Sequence, residues 1–249
     1  RCRLPDTLGR PKRFSPKSQD HRERKVTSLA VIPARAGSTR LKDKNIFPLG
    51  GKPLIRWMTE AVLDSSCFDT VLISTDSDDI FNSVSDLPVV RHHRPANHAT
   101  VQATALDAMV NLMNNSKEKY DIFSYFLPTC PFIAPSDIAK GFKNLTKDID
   151  SVVSMTEIPE TIQLACVMKD DWVLPVFDNL QCGMTNSKFI KKYYKPSGAF
   201  YMGHWDGIIE RQNFFKGNVK GVLIPPERSV DINNRSDIEY AEQIIKDLI

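Results

Sequence analysis

Apolar residues alternate along this chain between short continuous runs and stripes of helical period. Leu29 to Ile32 is an unbroken apolar run inside Ser28 to Pro33, and it predicts a strand buried on both faces. In Pro53 to Ser65 the positions Leu54, Trp57, Met58, Ala61 and Val62 recur at spacings of three and four, which predicts a helix with Pro53 in its first turn. The alternation continues as a strand (Thr70 to Ser74), a short helix (Ser77 to Ser85), a strand (Val89 to Arg91), a helix (Val101 to Asn114) and a strand (Ile122 to Leu127). A helix over Pro135 to Lys147 then leads to the strand Ser151 to Thr156. Strands separated by helices need crossovers, so the pattern predicts an α/β fold with a doubly wound, mainly parallel, Rossmann-like sheet. Ligands of such sheets lie at the carboxyl ends of the strands.

The pattern breaks between Ile158 and Pro196. Helical period is lost there, and Trp172, Val173, Leu174 and Val176 suggest an extended or hairpin excursion, read as a small inserted lobe at about 158–196. Ser197 to Met202 and Val219 to Ile224 return to the sheet, and His204 to Gln212 predicts a helix. Ser236 to Ile249 closes the chain with Ile238, Ala241, Ile244, Ile245 and Leu248 on one helical face. Residues 1–25, rich in Arg, Lys, Pro and Ser without apolar period, read as a solvated basic arm preceding one domain over 26–249.

Composition narrows the function classes. At 249 residues, with 41% apolar and 25% charged, the chain is neither disordered nor fibrous and can bury a sizeable core. Its longest apolar runs are strand-sized, far short of the roughly 20 residues that cross a bilayer, so no membrane span is expected. The net charge of +3 hides a division: the arm holds nine Lys or Arg against three Asp or Glu, a net +6, which leaves −3 on the rest. A slightly acidic body argues against nucleic acid as the main ligand. Five scattered cysteines without a CxxC pair point to a reducing, cytoplasmic setting, with Arg10-Pro11-Lys12-Arg13 as an alternative nuclear address. The five histidines form no metal-ligand spacing and are assigned no chemistry.

The most informative stretch is Val31-Ile-Pro-Ala-Arg-Ala-Gly-Ser-Thr-Arg-Leu-Lys-Asp-Lys-Asn45, directly after the first strand. One Gly, a Ser and the cations Arg35, Arg40, Lys42 and Lys44 suit a polyphosphate, because backbone N–H groups near Gly37 can approach anionic oxygens and the cations add charge-assisted bonds. Composition alone leaves a solvated basic loop equally open. Asp231 and Asn233 lie two apart in an extended segment and should face the same way; read alone, Asp231 suits a cap for the last helix or a turn.

Ala34-Arg35-Ala36-Gly37-Ser38, Lys44-Asn45 and Gly51-Lys52-Pro53-Leu54-Ile55 together resemble the signature of the acylneuraminate cytidylyltransferases, the CMP-sialic acid synthetase family. Ser74-Thr75-Asp76, Arg94-Pro95-Ala96, Pro128-Thr129-Cys130-Pro131, Ser151-Val152-Val153-Ser154 and Pro196-Ser197-Gly198-Ala199-Phe200-Tyr201 follow in the family's order, as do Phe214-Phe215 and Ser229-Val230-Asp231-Ile232-Asn233. The resemblance implies a nucleotidyltransferase fold in which Arg35, Ser38, Lys44, Asn45 and Arg94 hold CTP. It implies Mg²⁺ at Asp231 and Asn233, where the family usually has two Asp, with Arg35, Lys44 and Asp231 as the catalytic set. Tyr201, Phe214 and Phe215 would line the sugar side. Lys188, or Lys191, Lys192 or Lys195, could receive the sugar carboxylate.

The implied reaction joins CTP to a nine-carbon 2-keto-3-deoxy sugar acid such as N-acylneuraminate, giving CMP-sugar and pyrophosphate. Departures at Leu127, Ala105 and Ser187-Lys188 fall on the sugar side and leave the acidic sugar open. The alternatives are a cytidylyltransferase for the eight-carbon acid Kdo and a catalytically silent nucleotide-binding homologue. Family members are generally dimers joined through the inserted lobe, so a homodimer is expected. All of this requires the Gly37 bend and Asp231 to lie within about 15 Å of each other, the reach of a metal-bridged triphosphate.

Overall fold

The computed structural model describes residues 25–95, 105–159, 161–186 and 191–248. The basic arm over 1–24 lies outside them. So do 101–104 at the start of the helix expected from Val101, and Lys188. Among the described residues, eleven strands and six α-helices follow in order.

The fully buried run forms β1 (Ser28–Pro33), at the middle of the main sheet. A loop of residues 34–47 leads to a tight hairpin of β2 (Pro48–Leu49) and β3 (Lys52–Pro53), then to α1 (Leu54–Asp64). There follow β4 (Thr70–Thr75), α2 (Asp78–Asn82), β5 (Val90–His93), α3 (Ala105–Asn115) and β6 (Ile122–Phe126). α4 (Pro135–Asn144) and β7 (Ser151–Glu157) precede an exposed hairpin of β8 (Cys166–Lys169) and β9 (Trp172–Pro175). β10 (Tyr194–His204), α5 (Trp205–Arg211), β11 (Val219–Leu223) and α6 (Arg235–Leu248) complete the chain.

The seven-stranded sheet has the order β11-β7-β10-β6-β1-β4-β5. β1 pairs in parallel with β4 and β6, β4 with β5 and β7 with β11, while β10 runs antiparallel to both β6 and β7. The expected mainly parallel, doubly wound architecture is therefore present. The chain builds β1, β4 and β5 to one side and then crosses to β6 on the other, which opens a crevice at the carboxyl ends of β1 and β6.

Alternate residues of β1 feed two core layers. Ala30 and Ile32 face Ile55, Met58 and Val62 of α1 and Ile138 of α4, whereas Leu29 and Val31 face Met109, Leu112 and Met113 of α3 and Trp205 and Ile208 of α5. A third cluster seats α6: Ile238, Ala241 and Ile245 pack with Leu49, Leu54, Phe132 and Ile232.

Several elements depart from the sequence expectation. α2 spans only Asp78–Asn82 because Ser83 closes it, its hydroxyl donating to the Ile80 carbonyl at 2.7 Å. The segment expected as Ser197 to Met202 extends to Tyr194–His204, since both ends find partners on β7 and β6. Its register against β7 shifts between Pro196 and Tyr201. Gly198 sits in that bulge at φ +88°, a backbone region closed to other residues without strain.

Between Ile158 and Tyr193 the chain leaves the sheet, and the Ile158 N–H donating to the Tyr193 carbonyl at 2.9 Å closes the excursion at its base. β8 and β9 pair there as the expected hairpin, with Trp172 75% exposed and Met168, Val173 and Val176 also facing solvent.

Candidate active site

At the carboxyl end of β1 the loop turns sharply. The Ser38 N–H donates to the Ala36 carbonyl at 2.8 Å, a three-residue turn centred on Gly37. A Cβ at Gly37 would meet nothing within 4 Å, so no protein packing demands glycine there and the space beside it is open. Asp76, just past β4, accepts the Ala36 N–H at 2.9 Å and fixes the first half of the loop. Asn45 is buried and donates its side-chain amide to the Arg35 carbonyl at 2.9 Å, fixing the second half. Asp43 adopts a left-handed φ of +54° ahead of the 3₁₀ turn Lys44–Ile46, a conformation that Asp tolerates.

The opposite wall is the segment before α6. Ile232 is fully buried in the third core cluster, and burial of such a side chain stabilises by roughly 1.5–3 kcal/mol. Its neighbours Asp231 and Asn233 therefore face the cleft together, as their spacing predicts. Ile232 is held on both edges of its peptide: its N–H donates to the Thr129 carbonyl at 2.8 Å, and its carbonyl accepts the Lys44 ammonium at 3.0 Å. Asn233 accepts the Arg40 guanidinium at its Oδ1 at 2.8 Å and donates from Nδ2 to the Asp231 carboxylate at 2.9 Å. Two stretches about 190 residues apart in sequence are thus in direct contact.

Electrostatics favour an anion in this crevice. Burial lowers the pKa of the Lys44 ammonium below its ordinary 10.5; Asp231 opposes the shift, and Arg40 and Arg35 reinforce it. Burial likewise lowers the Arg94 guanidinium, with Asp76 opposing and Arg35 reinforcing. Arg94 is 8% exposed, and its N–H donates to the Thr75 carbonyl at 3.0 Å. Arg35, Arg40, Lys44 and Arg94 repel one another across a partly desolvated space, and a polyanion placed among them relieves that repulsion.

The sugar-side candidates form an aromatic stack beside this cleft. Tyr201 of β10 stacks on Tyr125 of β6 with ring centroids 4.7 Å apart. Burial, then Cys130 and Asp231, raise the Tyr201 pKa above its ordinary value, which sets the phenol on the Asp231 side. Phe214 and Phe215 have different roles. Phe214 is 2% exposed and packs behind Tyr201 at 5.7 Å, whereas Phe215 is 52% exposed with its ring 6.3 Å from Tyr201. Only Phe215 and Tyr201 are half-buried or exposed; Phe214 acts through the ring in front of it. Lys192 is paired with Glu157 at 2.9 Å, and Lys191 lies over the Tyr193 ring at 5.9 Å.

Several residues that build the site carry weak sequence signals. Asp76 holds the loop through the Ala36 N–H; in sequence it stands only as the last residue of the resembling stretch Ser74-Thr75-Asp76, with no role marked. Arg40 stands among four loop cations with nothing local to single it out. Asp137 at the start of α4 takes a two-pronged ion pair from Arg228, three residues before Asp231. Among the described residues no group of three or more His, Cys, Asp or Glu gathers into a metal cage. A cavity of about 830 Å³ lies along β4 and β5 beside α3, and its lining includes none of Arg35, Arg40, Lys44 and Asp231. The converging charges, not the cavity volume, mark the site.

Comparison with known proteins identifies the family and the fold. A family model described as Cytidylyltransferase matches residues 29–216. The pseudaminic acid cytidylyltransferase of Campylobacter jejuni is 25% identical over 226 residues, covering 89% of this chain and 97% of that protein. An N-acylneuraminate cytidylyltransferase of Escherichia coli is 29% identical over 215 residues, 86% of this chain and 51% of its own length. Among solved structures, CMP:2-keto-3-deoxy-manno-octonic acid synthetase complexed with CTP superposes with a TM-score of 0.67 at 17% identity, over 90% of this chain and all of that one. The 4-diphosphocytidyl-2C-methyl-D-erythritol synthase of Anaerococcus prevotii gives 0.64 at 14% identity, over 89% and 96%. These two share the fold.

Proposed function

This chain belongs to the cytidylyltransferase family, and we propose that it activates a sialic-type nonulosonic acid, converting CTP and the sugar acid to CMP-sugar and pyrophosphate. The observation that carries this reading is the direct contact between the phosphate-side loop and the Asp231 segment through Arg40–Asn233 and Lys44–Ile232. It brings Arg40 and Lys44 onto the segment that carries Asp231. The similarity to pseudaminic and N-acylneuraminate cytidylyltransferases supports a nine-carbon acid over the eight-carbon one.

In this reading Arg35, Ser38, Lys44, Asn45 and Arg94 seat the triphosphate, and Tyr201 and Phe215 receive the sugar. The anomeric hydroxyl oxygen bonds to the α-phosphorus as the bond to the bridging oxygen of pyrophosphate breaks, and the hydroxyl proton passes to solvent water. Lys44 and Arg35 offset the charge that grows on the departing pyrophosphate, so positioning and electrostatics supply most of the acceleration. The donor set fits Mg²⁺, which takes one or two carboxylates and completes its shell with phosphate oxygens and water; Asp231 would supply the carboxylate. When bound, the ion would neutralise phosphate charge and lower the pKa of a coordinated oxygen.

We propose in addition a homodimer joined through the lobe, supported by the exposed apolar hairpin around Trp172. No helix among the described residues is long and apolar enough to cross a membrane, and Cys67, Cys130, Cys166 and Cys182 are free thiols, which suits a reducing, cytoplasmic setting.

The test is mass identification of products after incubation with CTP, Mg²⁺ and a panel of N-acylneuraminic, pseudaminic, legionaminic and eight-carbon acids. A CMP-linked nine-carbon product is expected. Product from the eight-carbon acid alone would shift the substrate class, and tight CTP binding without any product would make the chain a nucleotide-binding protein only.

A further inference from the structure

We propose that Asn233 is a positioning residue that passes the anchorage of Arg40 to the Asp231 carboxylate, so that Asp231 alone meets the divalent cation. This assignment rests on the metal-assisted reading above and replaces the expectation that Asn233 ligates the metal directly. The amide of Asn233 is used at both ends: its oxygen accepts from Arg40 at 2.8 Å, and its nitrogen donates to Asp231 Oδ2 at 2.9 Å. An amide oxygen hydrogen-bonded to a guanidinium is a poor partner for a dication, because the two cations repel at short range.

The backbone on which this bridge is mounted is already clamped. Asn233 donates its own N–H to Asp237 Oδ2 at 2.7 Å, and Asn234 donates to the same oxygen at 2.9 Å, which ties the segment to the start of α6. Ile232 is pinned by the Thr129 carbonyl and by Lys44 on its two sides. What the backbone does not fix is the side-chain rotamer of Asp231, which is exposed and able to sample several staggered wells. The Asn233 amide selects one of them and leaves the second carboxylate oxygen for a cation. Arg40 in turn fixes the amide, from a loop that the incoming triphosphate must also touch.

The test measures how many fold Mn²⁺ tightens CTP binding, with no sugar acid present so that no turnover occurs. The quantity is the ratio of CTP dissociation constants in EDTA and in Mn²⁺, read by calorimetry and checked by the Mn²⁺ electron spin resonance signal. Taking a ratio cancels the direct loss of phosphate contacts in the Arg40 variant. Asp231→Ala should reduce the enhancement to near one. Asn233→Ala and Arg40→Ala should each cut it by about tenfold, the size of a hydrogen bond to a charged group, and the double variant should lose no more than the worse single one. Both side chains are surface-accessible, and unchanged melting temperatures will separate positioning from folding.

An enhancement that rises or stays level in Arg40→Ala, or a double variant whose loss equals the product of the two, would overturn the assignment. So would an Asp231→Ala protein that keeps the full effect. If wild-type protein shows the enhancement but forms no CMP-sugar, the proposed reaction fails while the positioning role stands. If it forms product and the Asn233 and Arg40 variants keep the enhancement, only the positioning role fails.

Discussion

The two sides of the cleft are built by opposite means. The proposed nucleotide side is a mesh of directed polar bonds between loops far apart in sequence: Arg40 to Asn233, Lys44 to Ile232 and Asp76 to Ala36. The proposed sugar side is a packed face, Tyr201 on Tyr125 with Phe214 behind and Phe215 beside, and its shape comes from van der Waals contact. A polar mesh tolerates little change, since each lost partner strands another group. A packed wall reshapes with a change of one ring. Leu127 and Ala105, the departures from the family pattern, pack against the same cluster as Tyr125, Tyr201 and Phe214, on the side that a change of ring reshapes.

The comparison breaks most visibly at Asp231. Asp231→Ala should reduce Mg²⁺-dependent pyrophosphate release by about 1,000-fold, the scale of losing a group that stabilises transition-state charge, with an unchanged melting temperature because the side chain is exposed. Undiminished release would remove this residue from the reaction.

Tyr201→Ala should act on the other side. It should raise KM for the sugar acid by about 30-fold and cost about 3 kcal/mol of stability through the cavity it leaves against Tyr125 and Phe214, with KM for CTP unaltered. An equal change in both KM values would show that the two sides are not separate. Asp76→Ala should do the reverse, raising KM for CTP about tenfold through the freed Ala36 N–H and leaving the sugar KM alone.

The smallest effect sharpens the electrostatic part. Lys44 has a folded pKa below its unfolded value of 10.5. Between those two values the unfolded chain binds more protons, so the stability of the ligand-free protein should rise with pH in that window, relative to Lys44→Met. CTP affinity should fall over the same window as the ammonium is lost. Paired denaturant and binding titrations from pH 8 to 10.5 would check both signs, and parallel curves for wild type and variant would contradict the assignment.

How much of this was legible in the sequence depends on range. β1 and α1 were readable because burial on both faces and a period of three to four are local facts. The Gly37 loop was readable because its cations lie within a dozen residues of one another. The antiparallel direction of β10 was not, since it is decided by pairing with β6 and β7, elements 40 to 80 residues away. Phe214 and Phe215 looked alike as a pair, yet adjacent residues face different ways, one into the core and one outward. The tie of Arg40 to Asn233 spans 193 positions, and no local rule joins them.

The reversed strand has one more outcome. Because β10 runs against β6 and β7, the chain departs from the end of β7 and comes back on the same rim of the sheet, and the Ile158–Tyr193 backbone bond and the Lys192–Glu157 ion pair close the neck. Lengthening what hangs from that neck adds only a slowly growing closure entropy and moves no strand. The hairpin is in effect an interchangeable attachment fitted at the mouth of the reaction chamber, free to be retailored for a new acidic sugar or a new companion subunit while the machinery beneath it keeps its form.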